Sequence, residues 1–126
     1  MHAASHPVSA ARNFPPSHRL RSPAQFKRAY AQGKRLANEH FTVSVVPNEV
    51  AWPRLGMSIA ARNLRRAVDR NRIRRLIRES FRMHRSGLPC VDLVVGARTS
   101  VIGVDNASLA AALQRLWGKV AASCVG

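Results

Sequence analysis

Apolar positions along the 126-residue chain fall into segments whose spacing switches between helical and extended periods. Residues 1–18, with His2, His6, Pro7, Pro15 and Pro16, follow neither period and are expected to form a mobile tail. From about Arg19 the pattern becomes regular. Ser22 suits an N-cap, Pro23 the first helical position, Gln25 the return bond of a capping box, and Gly33 the C-terminal cap. Within that short helix Phe26, Ala29 and Tyr30 share a face. The β-branched run 41–46, stopped by Pro47, predicts a strand, and alternation over 54–60 predicts another. The connector 48–53 between them fits a hairpin loop, and 34–38 fits a shorter strand. Val91-Asp92-Leu93-Val94-Val95-Gly96-Ala97 reads as a strand buried on at least one face. Leu109, Ala112, Leu113, Leu116, Trp117 and Val120 then stripe one side of a final helix, with Asp105, Asn106 or Ser108 as possible caps. This order predicts one α+β domain over 19–123, a two-layer sandwich whose mostly antiparallel four-stranded sheet is packed by helices.

Between the second and third of these strong strand signals lies a helix of another character. Placing Ile73 at zero and advancing about 100° per residue sets Leu76, Ile77 and Ser80 within about 60° and Phe81 near 80°, which defines a core stripe. Arg74, Arg85, Arg78, Asn71, Arg82 and Arg75 fan over roughly 100° to 200° of the same wheel, and Arg70 falls on the border of the buried face. Ten of the 18 arginines lie between Arg62 and Arg85, offset only by Asp69 and Glu79. A solvated surface helix ordinarily mixes signs so that i,i+4 pairs support it. Here like charges dominate, so the helix is expected to meet a polyanion, most simply nucleic acid.

The whole chain supports that expectation. Its net charge is +15 and its pI about 11.9, while 46% hydrophobic residues exclude a wholly disordered basic tail. No apolar run approaches a membrane span, and residues 1–25 lack the apolar stretch of a secretory signal, so a cytoplasmic protein without a membrane role is expected. Cys90 and Cys124 have no second ligand at metal spacing and read as reduced thiols. The six acidic residues are scattered, which argues against a protein-borne two-metal nuclease site, and nothing brings His40 and His84 onto one phosphate. No catalytic residue, bound metal or protein partner is predicted. A helix-turn-helix reader would need a neighbouring helix where strands are expected. Phe26, Tyr30 and Phe41 are the candidates for stacking single-stranded bases, with core packing as the plain alternative for each.

The segment Arg54-Leu55-Gly56-Met57-Ser58-Ile59-Ala60, followed by Arg65-Arg66-Ala67-Val68-Asp69-Arg70-Asn71-Arg72-Ile73-Arg74-Arg75-Leu76-Ile77-Arg78-Glu79-Ser80-Phe81-Arg82, closely resembles the protein subunit of bacterial ribonuclease P, with the Arg70-Asn71-Arg72 core of its RNR motif intact. The likeness runs from about Arg19 to Lys119. It implies an RNA-binding protein that joins the ribonuclease P catalytic RNA and precursor tRNA, the RNA itself removing the 5′ leader with Mg²⁺. By the same resemblance Arg65, Arg66, Arg70, Asn71, Arg72, Arg74, Arg75, Arg78 and Arg82 become the RNA-binding helix surface. Phe26, Tyr30 and Ser44 fall in the leader-binding cleft, and the fold carries a left-handed βαβ crossover.

The chain also departs from the pattern. Ala61 stands where many relatives carry a lysine, Arg74 where lysine is frequent, and Ser44 where some relatives place an aromatic. The alternative function is a ribosome-associated or RNA-chaperone protein that binds structured RNA without a part in cleavage. A basic DNA-binding protein is a more distant alternative.

Overall fold

The structure, a computed structural model, describes residues 16–123. Helix α1 is Pro23–Gln32, and strands β1, β2 and β3 are Lys34–Ala37, Phe41–Pro47 and Arg54–Met57. Helix α2 is Ala67–His84, strand β4 is Val91–Ala97 and helix α3 is Asn106–Ser123. The strands form one sheet in the order β1-β2-β4-β3. Antiparallel pairing joins β1 to β2 and β2 to β4, whereas β3 runs parallel to β4.

This order corrects the hairpin expected at 48–53. Strand β2 does not pair with β3, because β4 lies between them. The cause is visible in β4 itself: Val91, Leu93, Val95 and Ala97 enter one apolar cluster and Val94 another, so both of its faces are buried. Burial of this kind is typical of a strand in the interior of a sheet, and β4 has a neighbour on each side. The β3–α2–β4 connection is therefore a crossover through the basic helix, the βαβ unit that the resemblance implies. Strand β3 is also shorter than the 54–60 pattern, ending at Met57, although Ser58 N–H still reaches Val95 O at 2.9 Å.

The first face of the sheet holds the main core. Phe41, Val43, Val45, Leu55, Leu93 and Val95 pack against Ile73, Ile77 and Phe81 of α2 and the full predicted stripe of α3. Ser80, a polar residue on α2's core stripe, accepts a 2.8 Å bond from Trp117 Nε1, and the Trp117 ring meets Phe81 edge-on at 6.1 Å. Asp105 caps α3 by accepting from Ser108 N–H at 3.0 Å and from its hydroxyl at 2.7 Å, and these bonds hold its carboxyl below the usual range.

The second face is covered only in part. Helix α1 begins with the predicted capping box, Ser22 Oγ accepting from Gln25 N–H and Gln25 Oε1 from Ser22 N–H. It lays Ala29 and Phe26 on Val46 and Val94 beside Leu20. Gly33 ends the helix as expected, but in extended backbone with φ −81°, and its importance is proximity: a Cβ there would stand 2.9 Å from Val45 O. Residues 1–15 of the expected tail lie outside the described residues. Pro16–His18 form a short 3-10 turn, Trp52 Nε1 donates to Ser17 O at 2.8 Å, and Leu20 N–H donates to Leu55 O at 2.8 Å, so this segment shields the β3 edge.

At one end of the second face Asp92, almost fully buried, accepts a bidentate pair from Arg54 at 2.8 and 3.0 Å and a bond from Asn48 Nδ2 at 2.9 Å. Arg28 lies 3.8 Å away and donates to Pro47 O at 2.8 Å, linking α1 to the same network. Replacing Asp92 by Ala should cost about 3–5 kcal/mol in chemical denaturation, because Arg54 would be left without its counter-charge. Arg115→Ala, which breaks the exposed pair with Glu39, should by contrast leave the denaturation midpoint nearly unchanged. A second expectation concerns pH. Burial against Trp52 and the charge of Arg85 hold the His18 imidazole below its ordinary 6.5. The unfolded chain therefore takes up this proton at higher pH than the folded one, and stability should fall as pH drops below about 6.5. His18→Phe should flatten that part of the stability–pH curve measured by urea titration.

Candidate nucleic-acid interface

Helix α2 divides as the wheel predicts, with Ile73, Ile77, Ser80 and Phe81 buried and Asn71, Arg75 and Arg78 exposed. Its arginines, however, are of two kinds. Arg70 turns back and donates from Nη1 to Leu64 O at 2.7 Å and Arg65 O at 2.8 Å, closing the loop that enters the helix. Arg72 donates from Nε to Asn106 Oδ1 at 2.8 Å and from Nη2 to Val104 O, tying α2 to the start of α3. The two arginines of the RNR core are thus fasteners of the fold, and Arg82 pairs with Glu79 within the helix. By contrast the guanidiniums of Arg65, Arg66, Arg74, Arg75 and Arg78 make no side-chain hydrogen bond or ion pair among the described residues. Asp69 sits in the first turn and Arg82 in the last, each sign matched to the helix dipole.

Four of these five cations border concave surfaces. Arg65 and Arg66 join Arg62, Asn63, Thr99 and Ile102 around the N-terminal end of α2. Arg74 and Arg78 face a groove of about 500 Å³ with Arg19, Phe26 and Met57. Phe26 is seated there because Gly56 leaves it room: a Cβ at Gly56 would stand 2.8 Å from the ring. That seat separates Phe26 from Tyr30, which the sequence placed on one helical face and the resemblance placed in one cleft.

Tyr30, 52% exposed, instead borders a cleft of about 340 Å³ on the uncovered part of the sheet. Its floor is Thr42 and Ser44 of β2, Val94 and Gly96 of β4, and Ser58. Ser44 is buried at this floor, so the structure brings Tyr30 and Ser44 together and leaves Phe26 in the adjacent groove. Arg35 of β1, Arg62 after β3 and Arg98 after β4 line the same cleft. Arg98 donates to Asn38 O at 3.1 Å, while the Arg35 and Arg62 guanidiniums have no acceptor among the described residues. Sequence reasoning missed this cluster, since its members lie far apart along the chain and only the strand order gathers them. The alternation of β1, which puts Arg35 on the side of Ser44, was the available signal.

Chemically, such a surface can hold phosphates at several points and stack a base at Tyr30. His40 Nδ1 is engaged with Ser100 Oγ at 2.8 Å and His84 Nδ1 with Ser80 O at 2.8 Å. No group of three or more His, Cys, Asp or Glu side chains placed to hold a metal occurs among the described residues. No helix among them is long and apolar enough to cross a membrane.

Fold and surface together define a basic α+β protein with a partly covered sheet and several guanidiniums that have no partner among the described residues. Comparison with known proteins narrows the class. The family profile described as Ribonuclease P matches residues 14–121. The ribonuclease P protein component of Thioalkalivibrio sulfidiphilus is 44% identical over 111 residues, 88% of this chain and 92% of that one. That of Methylococcus capsulatus is 43% identical over 90% of this chain and 88% of its own. Among solved structures, the RNase P protein of Staphylococcus aureus matches with TM-score 0.76 at 34% identity over 82% of this chain and 94% of that one. The protein from Thermotoga maritima matches with TM-score 0.74 at 30% identity over 81% and 96%. The chain belongs to the ribonuclease P protein component family, whose members are subunits of an endoribonuclease.

The division of the arginines is open to a direct test by thermal unfolding. Arg72→Ala should lower stability by about 1–3 kcal/mol by removing both donors that hold the α3 entry. Arg75→Ala and Arg78→Ala should stay within about 0.5 kcal/mol of the parent. Equal losses at all three positions would contradict the division.

Proposed function

We propose that this chain binds the catalytic RNA of ribonuclease P through the free guanidiniums of α2 and the single-stranded 5′ leader of precursor tRNA in the Tyr30–Ser44 cleft, assisting removal of the leader. The observation that carries this reading is that Arg62 and Asn63 line both the cleft and the concavity at the start of α2. A structured RNA on the helix and a single strand in the cleft could therefore be held side by side. The family supplies the setting, a ribonuclease P particle, and the geometry supports a division of labour within it.

In this reading the protein contributes charge and position. The ribozyme RNA performs the hydrolysis, with Mg²⁺ held by RNA. Arg65, Arg66, Arg74, Arg75 and Arg78 neutralise ribozyme phosphates and lower the repulsion that Mg²⁺ would otherwise have to screen. Arg70, Arg72 and Arg82 act indirectly, by fixing where that comb stands. Tyr30 supplies a ring for one leader base, Ser44 a small polar floor, and Arg35, Arg62 and Arg98 the phosphate seats. Phe26 anchors α1 on the sheet and contributes its ring to the neighbouring Arg74–Arg78 groove.

The test is cleavage of a precursor tRNA by a bacterial ribonuclease P RNA at low Mg²⁺, with and without this protein. Stimulation should disappear in the Arg74→Ala, Arg75→Ala, Arg78→Ala triple variant and shrink when the leader is shortened. If the full comb makes ~6–10 phosphate contacts, affinity for the ribozyme RNA should fall ~10³–10⁵-fold between roughly 50 and 200 mM salt. Tight RNA binding without stimulation would instead favour an RNA-chaperone role.

A further inference from the structure

The strand register places one cleft residue where its charge has a defined use. Arg35 of β1 is the direct cross-strand partner of Ser44 on β2, and both line the cleft. Opposed residues on one face of an antiparallel pair have their Cβ atoms about 4.5–5.5 Å apart, so what each side chain can do depends on the size of the other. Ser44 is small and nearly fully buried, leaving the floor beside Arg35 flat. Thr42, Ser58 and Gly96 complete a floor that has hydroxyls but no ring. Strand β1 is at the sheet edge, and the exposed Arg35 side chain makes no side-chain hydrogen bond or ion pair among the described residues.

We infer that Arg35 is a specificity-determining residue of the cleft: it makes the seat beside Ser44 a phosphate seat rather than a base-stacking one. This rests on the cleft reading above and deepens it. With Arg62 and Arg98 on the remaining rim, the strand is gripped by its backbone at several points and by a ring only at Tyr30. The consequence is selectivity for single-stranded character with little regard for base identity, and strong dependence on salt. A phosphate is accepted whichever base it carries, whereas a ring seat ranks bases by stacking strength.

The experiment uses the holoenzyme assembled from a bacterial ribonuclease P RNA and the full chain, so that α2 is occupied equally in every variant. The readout is the ratio of kcat/KM for precursors with long and short leaders, across salt, with leaders of adenosine, uridine or abasic nucleotides. Arg35→Ala should reduce the long-leader advantage about tenfold, by the same factor for all three leaders, with Arg35→Lys recovering most of it. The salt slope of the ratio should fall by about 0.7, the share of one phosphate on a single strand. Tyr30→Ala should reduce the advantage for adenosine and uridine leaders but not for abasic ones. An unchanged slope in Arg35→Ala, or a loss confined to one kind of base, would overturn the assignment of Arg35 while leaving the cleft reading intact. A parent holoenzyme with no long-leader advantage would overturn the cleft reading, and the role of Arg35 with it.

Discussion

The structure depends on strand β4 being buried in the middle of the sheet. Val91, Leu93 and Val95 bury into the α2–α3 side, Val94 and Asp92 are buried on the α1 side, and the strand sits between β2 and β3. Strands β2 and β3 flank it, and because β3 runs parallel to β4 the chain crosses between them through α2. That single constraint puts the basic helix over one face while its arginines reach around the short β3 edge toward α1.

Charge in this protein is used in two separable ways. Some guanidiniums are spent inside the fold: Arg54 neutralises buried Asp92, Arg70 closes the loop before α2, and Arg72 holds the start of α3. Others stand free on concave surfaces. The first kind fixes where the second stands, and in the proposed RNA-binding role that would limit the binding free energy lost to ordering. The net charge of +15 remains after all six carboxylates are counted, and the carbonyls and carboxylates that engage these guanidiniums fix their geometry without removing that charge.

Half of a sheet face left without helical cover is ordinarily a liability for stability. Here the uncovered part is polar, with Thr42, Ser44 and Ser58 where α1 does not reach, so little apolar surface is left wet. Strand β2 shows the design in one element: Val46 lies under α1, and Ser44 and Thr42 follow on the same face beyond it. The cleft follows from a helix only 10 residues long laid on a strand pair that outruns it.

Most of the elements were legible in the sequence because each rests on local physics. The Ser22–Gln25 capping box, the Pro47 stop, the Ile73–Phe81 stripe and the Leu109–Val120 stripe depend on residues within a few turns of one another. The partition of α2 into core and comb was legible for the same reason, and the RNR signature carried the family. What local pattern could not carry was any relation between distant segments. The 48–53 connector looked like a hairpin because nearby strands usually pair, and only the two-sided burial of β4 overruled it. Phe26 and Tyr30 share a helical face by spacing, yet Gly56 draws one ring onto the sheet while the other lines the cleft. The wheel set Arg70 on the border of the buried face and Arg72 outside the comb, but it could not show what they engage, since the carbonyls belong to the entry loop and to a turn more than thirty residues away. The sequence by itself determined which segments are helix or strand and that the surface is cationic. Tertiary structure alone decided which cations are free and which face one another, because those properties depend on long-range packing that no local period encodes.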